Sequence, residues 1–311
     1  MSIRQATSAT TIDRRQLALL ALVTLTWGFN WPMLKIGVTG FPPLTFRSMS
    51  MALSLPLLYA VVRTMRIPLR MPQAALPELA KLTLTNMLVW HVVAIIAVQA
   101  LSSGRAAILG YTMPIFSAVW GAALYQQRLS RRHSLGIAAA VLGVGCLLWH
   151  ELAQFEGRPW GALGMLFAAA VWALGTQQLR HSRLQLPTLA IVWWMTVATT
   201  VVMILLACAF ESQRWAAPSP AVWFAILYNA VLIFGLAQPA WLVLARGLPP
   251  TASTLSVMLI PVLGTFSGAW MLNERLHWQD GAAIVLMLVA IASVLWPNRT
   301  ESLAQRPKAD A

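Results

Sequence analysis

A long apolar stretch occurs twice in this chain, and the second copy keeps the landmarks of the first. From Gly104 to Trp149 the sequence reads GRAAILGYTMPIFSAVWGAALYQQRLSRRHSLGIAAAVLGVGCLLW, and from Pro250 to Trp296 it reads PTASTLSVMLIPVLGTFSGAWMLNERLHWQDGAAIVLMLVAIASVLW. One offset of 147 residues carries Pro114 onto Pro261, Gly121 onto Gly268, Arg128 onto Arg275, Leu129 onto Leu276 and Trp149 onto Trp296. Two apolar helices, an internal proline and the same Arg-Leu turn recur without a gap. Duplicated apolar halves are found in membrane transporters, which place their substrate sites at the interface between repeats.

The balance of residue types leads to the same solvent. Hydrophobic residues make up 59% of the chain and charged residues 10%, against roughly a quarter charged in a soluble domain. A bilayer accommodates that excess because the outside of the fold is then apolar too. The net charge of +13 does not indicate nucleic acid: the basic residues sit in short clusters between apolar runs, with no stripe or long tail. Cys146 and Cys208 each lie inside an apolar run and read as small packing residues rather than a disulfide.

About 20 apolar residues cross the hydrocarbon, and ten runs qualify: 17–37, 43–62, 79–100, 104–125, 134–150, 159–179, 188–209, 221–244, 251–272 and 280–296. Short connections make them one bundle. The first run is too long for a cleaved signal and carries Asn30 and Lys35. With the N-terminus cytoplasmic, that side holds 16 Lys and Arg and the other side 6, so the positive-inside rule places both termini in the cytoplasm. Five helices per half is an odd number, so the halves are expected to be inverted. The organisation is a tail over 1–16, a first repeat over 17–150, a second over 151–297 and a tail over 298–311. The turns agree: QQRLSRRHS is basic, whereas NERLHWQDG has Glu274 and Asp280 in place of Gln127 and His133.

Several residues carry a resemblance. Trp27-Gly28-Phe29-Asn30, Lys35, Phe46-Arg47, Pro114, Arg128-Leu129 and Gly136 occur in the first half in that order. Trp172, Arg180, Pro261 and Asn273-Glu274-Arg275-Leu276 occur in the second. Across nearly the whole chain this pattern resembles the EamA-type repeat of the ten-helix branch of the drug/metabolite transporter superfamily, and it is most like the YddG-type bacterial amino-acid exporters. The departures are Gln127, where the family usually has Glu, and Gly281, which falls two places early. The resemblance implies an all-α integral membrane protein of the bacterial inner membrane, with two inverted five-helix repeats around a central cavity lined by helices 1, 3, 4, 6, 8 and 9.

No enzyme signature is present: there is no HExxH, G-x-S-x-G or Walker loop, so no catalytic residue, metal site or cofactor is expected. All nine acidic residues fall in tails, loops or helix ends. A proton-driven exporter keeps a carboxylate at membrane depth, so facilitated export by alternating access is the primary expectation. The substrates expected are small amino acids, aromatic or other neutral ones favoured, and related metabolites. Export of another metabolite or drug class, proton-coupled antiport through His91 or a loop acid, and a non-transporting scaffold stay open. A monomer is expected, with a homodimer as the alternative; the partners are the solute and lipid.

The candidate substrate-binding residues are the polar and aromatic groups within spans. His91 lies mid-helix beside Trp90, and it reads either as a cavity residue or as a histidine bonded to a neighbouring helix. Asn30, Asn86, Asn229 and Gln238 read equally as cavity groups or interhelical links. Trp27, Trp90, Tyr111, Trp172 and Trp241 stand next to small or polar residues and suit an aromatic-walled pocket. Trp149, Trp160, Trp215, Trp223, Trp278 and Trp296 read as an interfacial belt. Lys35 and Arg47, near helix ends, are expected to snorkel toward the interface. Pro32, Pro56, Pro114, Pro239 and Pro261 each remove a hydrogen bond inside a span and predict bends; Pro114 and Pro261, as symmetry mates, are candidate gate hinges or static kinks. Helices 5 and 10, rich in Gly and Ala without a central polar group, read as close-packing scaffold.

Overall fold

The computed structural model describes residues 13–127, 129–153, 159–182, 184–244 and 250–295. Arg128, Trp296, residues 1–12 of the first tail and the whole second tail lie outside them. All regular structure among the described residues is helical, in ten rods. These are α1 (Arg14–Val38), α2 (Pro43–Thr64), α3 (Gln73–Ala100), α4 (Ser103–Tyr125), α5 (Arg131–Ala153), α6 (Pro159–Arg180), α7 (Thr188–Glu211), α8 (220–244), α9 (Pro250–Leu272) and α10 (Trp278–Leu295). Seven of them, α1–α4 and α6–α8, are long and apolar enough to cross a membrane; α9 and α10 hold the shorter apolar runs Ser256–Leu272 and Trp278–Ser293. The boundaries follow local chemistry. Pro43 and Pro220 occupy first-turn positions, where a missing N–H costs nothing. Ser102 and Ser219 accept from the amides of Arg105 (3.4 Å) and Val222 (3.3 Å) to start α4 and α8.

Packing relates the halves as a two-fold axis requires. The equivalent helices α5 and α10, α4 and α9, and α2 and α7 pack against each other. The contact of α1 with α9 is matched by that of α6 with α4, and the contact of α1 with α8 by that of α6 with α3. On the α5–α10 seam, a Cβ at Gly143 would stand 3.3 Å from Leu286 Cβ, whereas Gly145 and Gly281 face open space, so only part of the Gly-rich stripe is close-packed. Trp149, Trp160, Trp215, Trp223 and Trp278 are exposed, as belt residues should be.

Charged side chains tie the bundle end opposite the N-terminus. The buried Glu211 carboxylate accepts from the amides of Leu44 (3.1 Å) and Thr45 (2.7 Å) and from Thr45 Oγ1 (2.8 Å), capping α2 from the end of α7. Glu274 accepts from the Ser103 amide (2.8 and 3.0 Å) and Ser103 Oγ (2.9 Å), capping α4. Arg105 and Asp280 form an ion pair at 2.9 Å. Carboxylates at helix N-termini and a cation at a C-terminus both complement the helix dipole. Lys35 supplies the cation: its Nζ donates to the carbonyls of Val98 (3.1 Å), Gln99 (2.9 Å) and Leu101 (2.8 Å) at the end of α3. Its head thus reaches the helix ends of this face of the bundle, where three orphan carbonyls receive it.

Candidate functional site

The backbone of α3 is π-helical over Leu84–Leu88 and Trp90–Ala94, and that of α8 over Tyr228–Ala237. These are equivalent helices of the two halves. π turns inside α-helices are rare and frequent at functional sites, since the wider turn displaces side chains and loosens the hydrogen-bond ladder. Here they carry Asn86, Trp90 and His91 on α3 and Tyr228, Asn229 and Phe234 on α8.

Around them the aromatic candidates meet in pairs. Trp27 stands edge-on to Trp241 with centroids 5.4 Å apart, and Tyr111 stands edge-on to Trp31 at 6.4 Å. Trp31 fills a slot between two glycines: a Cβ at Gly110 would lie 2.8 Å from its ring and 3.3 Å from that of Trp90, and one at Gly264 would lie 2.9 Å from its ring. Trp27, Trp90, Tyr111 and Trp241 remain half-buried. The structure thus gathers four of the five aromatic candidates on α1, α3, α4 and α8. Trp31, missed in the sequence, follows Trp27 by four residues and was detectable as its neighbour on one helix face. Trp172 is half-buried on α6, and its carbonyl accepts from Asn86 Nδ2.

The amides divide. Asn86 Nδ2 donates to the Trp172 carbonyl (3.3 Å) and Thr176 Oγ1 (3.1 Å), so it links α3 to α6. On the other side of the two-fold, Tyr228 donates to the Thr26 carbonyl (2.7 Å) and links α8 to α1. Gln177 Nε2 donates to the Ser117 carbonyl (2.7 Å), tying α6 to α4. Gln238 is half-buried where α8 leaves its π segment. Asn30 is half-buried and its Oδ1 makes no hydrogen bond.

A buried polar group forms where α2, α3 and α8 meet. Arg47 is 4% exposed, donates from Nη1 to Asn229 Oδ1 (3.2 Å) and holds its guanidinium carbon 5.7 Å from the Phe234 ring centroid. Asn229, fully buried, donates in turn to the Ala225 carbonyl (3.1 Å). His91 is 9% exposed and stands edge-on to the same Phe234 ring at 5.5 Å. Arg47 Nε and His91 Nδ1 make no hydrogen bond. The expectation that Arg47 snorkels is therefore corrected: Asn229 and the face of Phe234 hold its head inside the bundle. Its signal in the sequence was its place inside a span, where an ionisable residue is a functional candidate by default.

The two hinge candidates differ. Pro114 starts the second section of α4, after a break at Tyr111 and Thr112, whereas Pro261 lies inside an unbroken α9. At the break the Thr112 hydroxyl donates to the Leu109 carbonyl at 2.6 Å, but Ser54 makes the same bond to Met51 two residues before Pro56 in an unbroken α2. Pro32 and Pro56 likewise lie inside continuous helices, so a proline does not interrupt these helices on its own.

Among proteins of known sequence, this chain is 25% identical over 283 residues to an uncharacterized transporter, YoaV, of Bacillus subtilis (strain 168), covering 89% of this chain and 94% of that one. It is 26% identical to an uncharacterized inner membrane transporter, YedA, of Escherichia coli (strain K12), covering 91% and 92%. It is 25% identical to a probable amino-acid metabolite efflux pump of Salmonella typhimurium (strain LT2), covering 90% and 94%. A solved crystal structure superposes with a TM-score of 0.63 at 19% identity, covering 89% of this chain and 96% of that chain, which shows a common fold. The model of the EamA-like transporter family matches twice, over residues 15–149 and 159–296. This multi-pass membrane protein therefore belongs to the EamA-like transporter family, within the drug/metabolite transporter superfamily.

Proposed function

We propose that this transporter exports small amino acids, aromatic or other neutral ones favoured, and related metabolites across the bacterial inner membrane. It works by alternating access, with no coupled ion and with both termini cytoplasmic. The observation that carries the reading is the convergence of half-buried Trp27, Trp90, Tyr111 and Trp241 on helices whose backbone is π-helical beside them. An aromatic wall with a few hydrogen-bonding groups suits a zwitterion with an apolar side chain. Asn30, His91 and Gln238 supply such groups, Trp172 lies across from Asn86, and Pro114 is the hinge with a break already beside it. The Salmonella relative, a probable amino-acid metabolite efflux pump, supports the same substrate class.

The test is counterflow of labelled L-phenylalanine, L-leucine and L-alanine in proteoliposomes at two transmembrane pH gradients. Uptake independent of the gradient is the expected result. Uptake that follows the gradient would replace the facilitator by a proton-coupled antiporter, with the unbonded His91 Nδ1 as its first candidate. No uptake of any amino acid would move another metabolite or drug class ahead.

A further inference from the structure

We propose that Arg47, with His91 beside it, forms a carboxylate-binding subsite that reads the anionic end of the transported solute. The inference rests on the transport reading above and adds to it the group on the substrate that is recognised and the residue that recognises it.

A guanidinium removed from water is costly unless a counter-charge and hydrogen bonds replace its hydration. Arg47 lacks the counter-charge: its partners among the described residues are the neutral Asn229 side chain and the Phe234 ring. The carboxylates on the nearby bundle end are engaged elsewhere, Glu211 with the start of α2, Glu274 with the start of α4 and Asp280 with Arg105. Around Phe234 two nitrogens, Arg47 Nε and His91 Nδ1, are buried and make no hydrogen bond. A carboxylate supplies what this group lacks, a negative charge and two oxygens that can accept from the guanidinium fork and from an imidazole N–H. Asn229 then has a positioning role, since its bond to Arg47 Nη1 leaves the Nε edge of the fork free.

The place in the fold suits a moving site. His91 lies in one π segment and Asn229 and Phe234 in the other, while Arg47 comes from α2. Trp90 precedes His91 in the chain and meets Gly110 near Trp31. Arg47 and His91 are buried in this conformation, so entry requires α2 or α3 to separate from α8.

The experiment is competition against counterflow of labelled L-phenylalanine in proteoliposomes by 3-phenylpropionate, which keeps the carboxylate, and by L-phenylalaninamide, which lacks it. In the unmodified protein the acid should compete at least about tenfold better than the amide, because a site built for one polar group rejects a ligand without it. Arg47→Gln should raise KM for L-phenylalanine about 10- to 100-fold and bring the acid-to-amide ratio close to one. His91→Gln should lower that ratio by a smaller factor. Amide and acid competing equally in the unmodified protein would overturn the subsite, as would an unchanged ratio in Arg47→Gln. If that variant does not fold, Arg47→Lys, which keeps the charge and loses the fork, carries the test, and an unchanged ratio again overturns it.

If the protein moves no amino acid, the substrate reading fails and the subsite is tested separately. Thermal unfolding in detergent is then followed with benzoate, 3-phenylpropionate, inorganic phosphate and chloride at equal ionic strength. A rise with the carboxylates that Arg47→Gln or Arg47→Lys abolishes supports the subsite. No carboxylate-specific rise, or a larger rise with phosphate, overturns it.

Discussion

At the end of α4 the chain leaves the helix through Gln126 in the left-handed conformation (φ 53°), and at the end of α9 it does so through Asn273 (φ 54°). The next residue in each copy, Gln127 or Glu274, turns its side chain back over a glycine, Gly121 or Gly268. Three residues further on, Ser130 donates its amide to His133 Nδ1 (3.1 Å), as His277 does to Asp280 Oδ2 (2.8 Å), to start the following helix. The backbone and its local caps are thus the same twice. The difference lies in what the side chains reach. Glu274 and Asp280 bond Ser103 and Arg105 in the first turn of α4, in the other half of the chain. Gln127 and His133 carry no negative charge and make no ion pair among the described residues. The turn's shape is thus duplicated with its backbone, and the two carboxylates of the second copy latch it to the first half of the chain. The acidic character of the second turn, read from sequence as a sign of its compartment, has a nearer cause in these contacts.

This contrast can be broken by substitution, and Gly268 offers the largest effect. A Cβ there would stand 2.9 Å from Ser103 Cβ and collide with the Glu274 carboxylate. Gly268→Ala should therefore destabilise the protein by about 3 kcal/mol through overpacking and loss of the cap. At Gly121 the obstacles are the far ends of Gln127 and Gln177, which can move, so Gly121→Ala should cost about 1 kcal/mol or less. Thermal unfolding in detergent measures both, and equal shifts would end the distinction.

Removing the cap itself comes next. Glu274→Ala should cost about 2 kcal/mol, since it strips charge-assisted hydrogen bonds from a helix N-terminus, and Gln127→Ala about 0.5 kcal/mol. Glu274→Gln should fall between, which would separate charge from hydrogen bonding. A double-mutant cycle on Arg105→Ala and Asp280→Ala should give the smallest effect, a coupling of about 1 kcal/mol that weakens in high salt. A coupling of zero would remove the ion pair from the latch.

The sequence carried the fold well because its signals are additive. Each long apolar run became a helix within a few residues of its expected ends, as with 43–62 against Pro43–Thr64 and 188–209 against Thr188–Glu211. The site was less legible because it depends on which groups lie opposite one another. Lys35 and Arg47 look alike along the chain, each a cation near a helix end, yet one caps α3 and the other is buried against Phe234. Asn86 and Asn30 also look alike, but Asn86 has a carbonyl and a hydroxyl of α6 within reach while Asn30 Oδ1 has no partner. Only the tertiary arrangement makes that choice. Trp31 was within reach of spacing arguments; the pairing of Arg47 with Asn229, 182 residues away, was not.

The π segments have a consequence for reading α8 by phase. An α-helix turns about 100° per residue, and each residue accommodated by a wider turn delays every later side chain relative to an uninterrupted helix. A helical wheel begun at Pro220 therefore misplaces Gln238 and Trp241, and the two ends of α8 obey separate wheels joined at Tyr228–Ala237. Deleting one residue from that segment would shorten the helix slightly but swing its entire last section to a different compass bearing, so length changes there act as rotations.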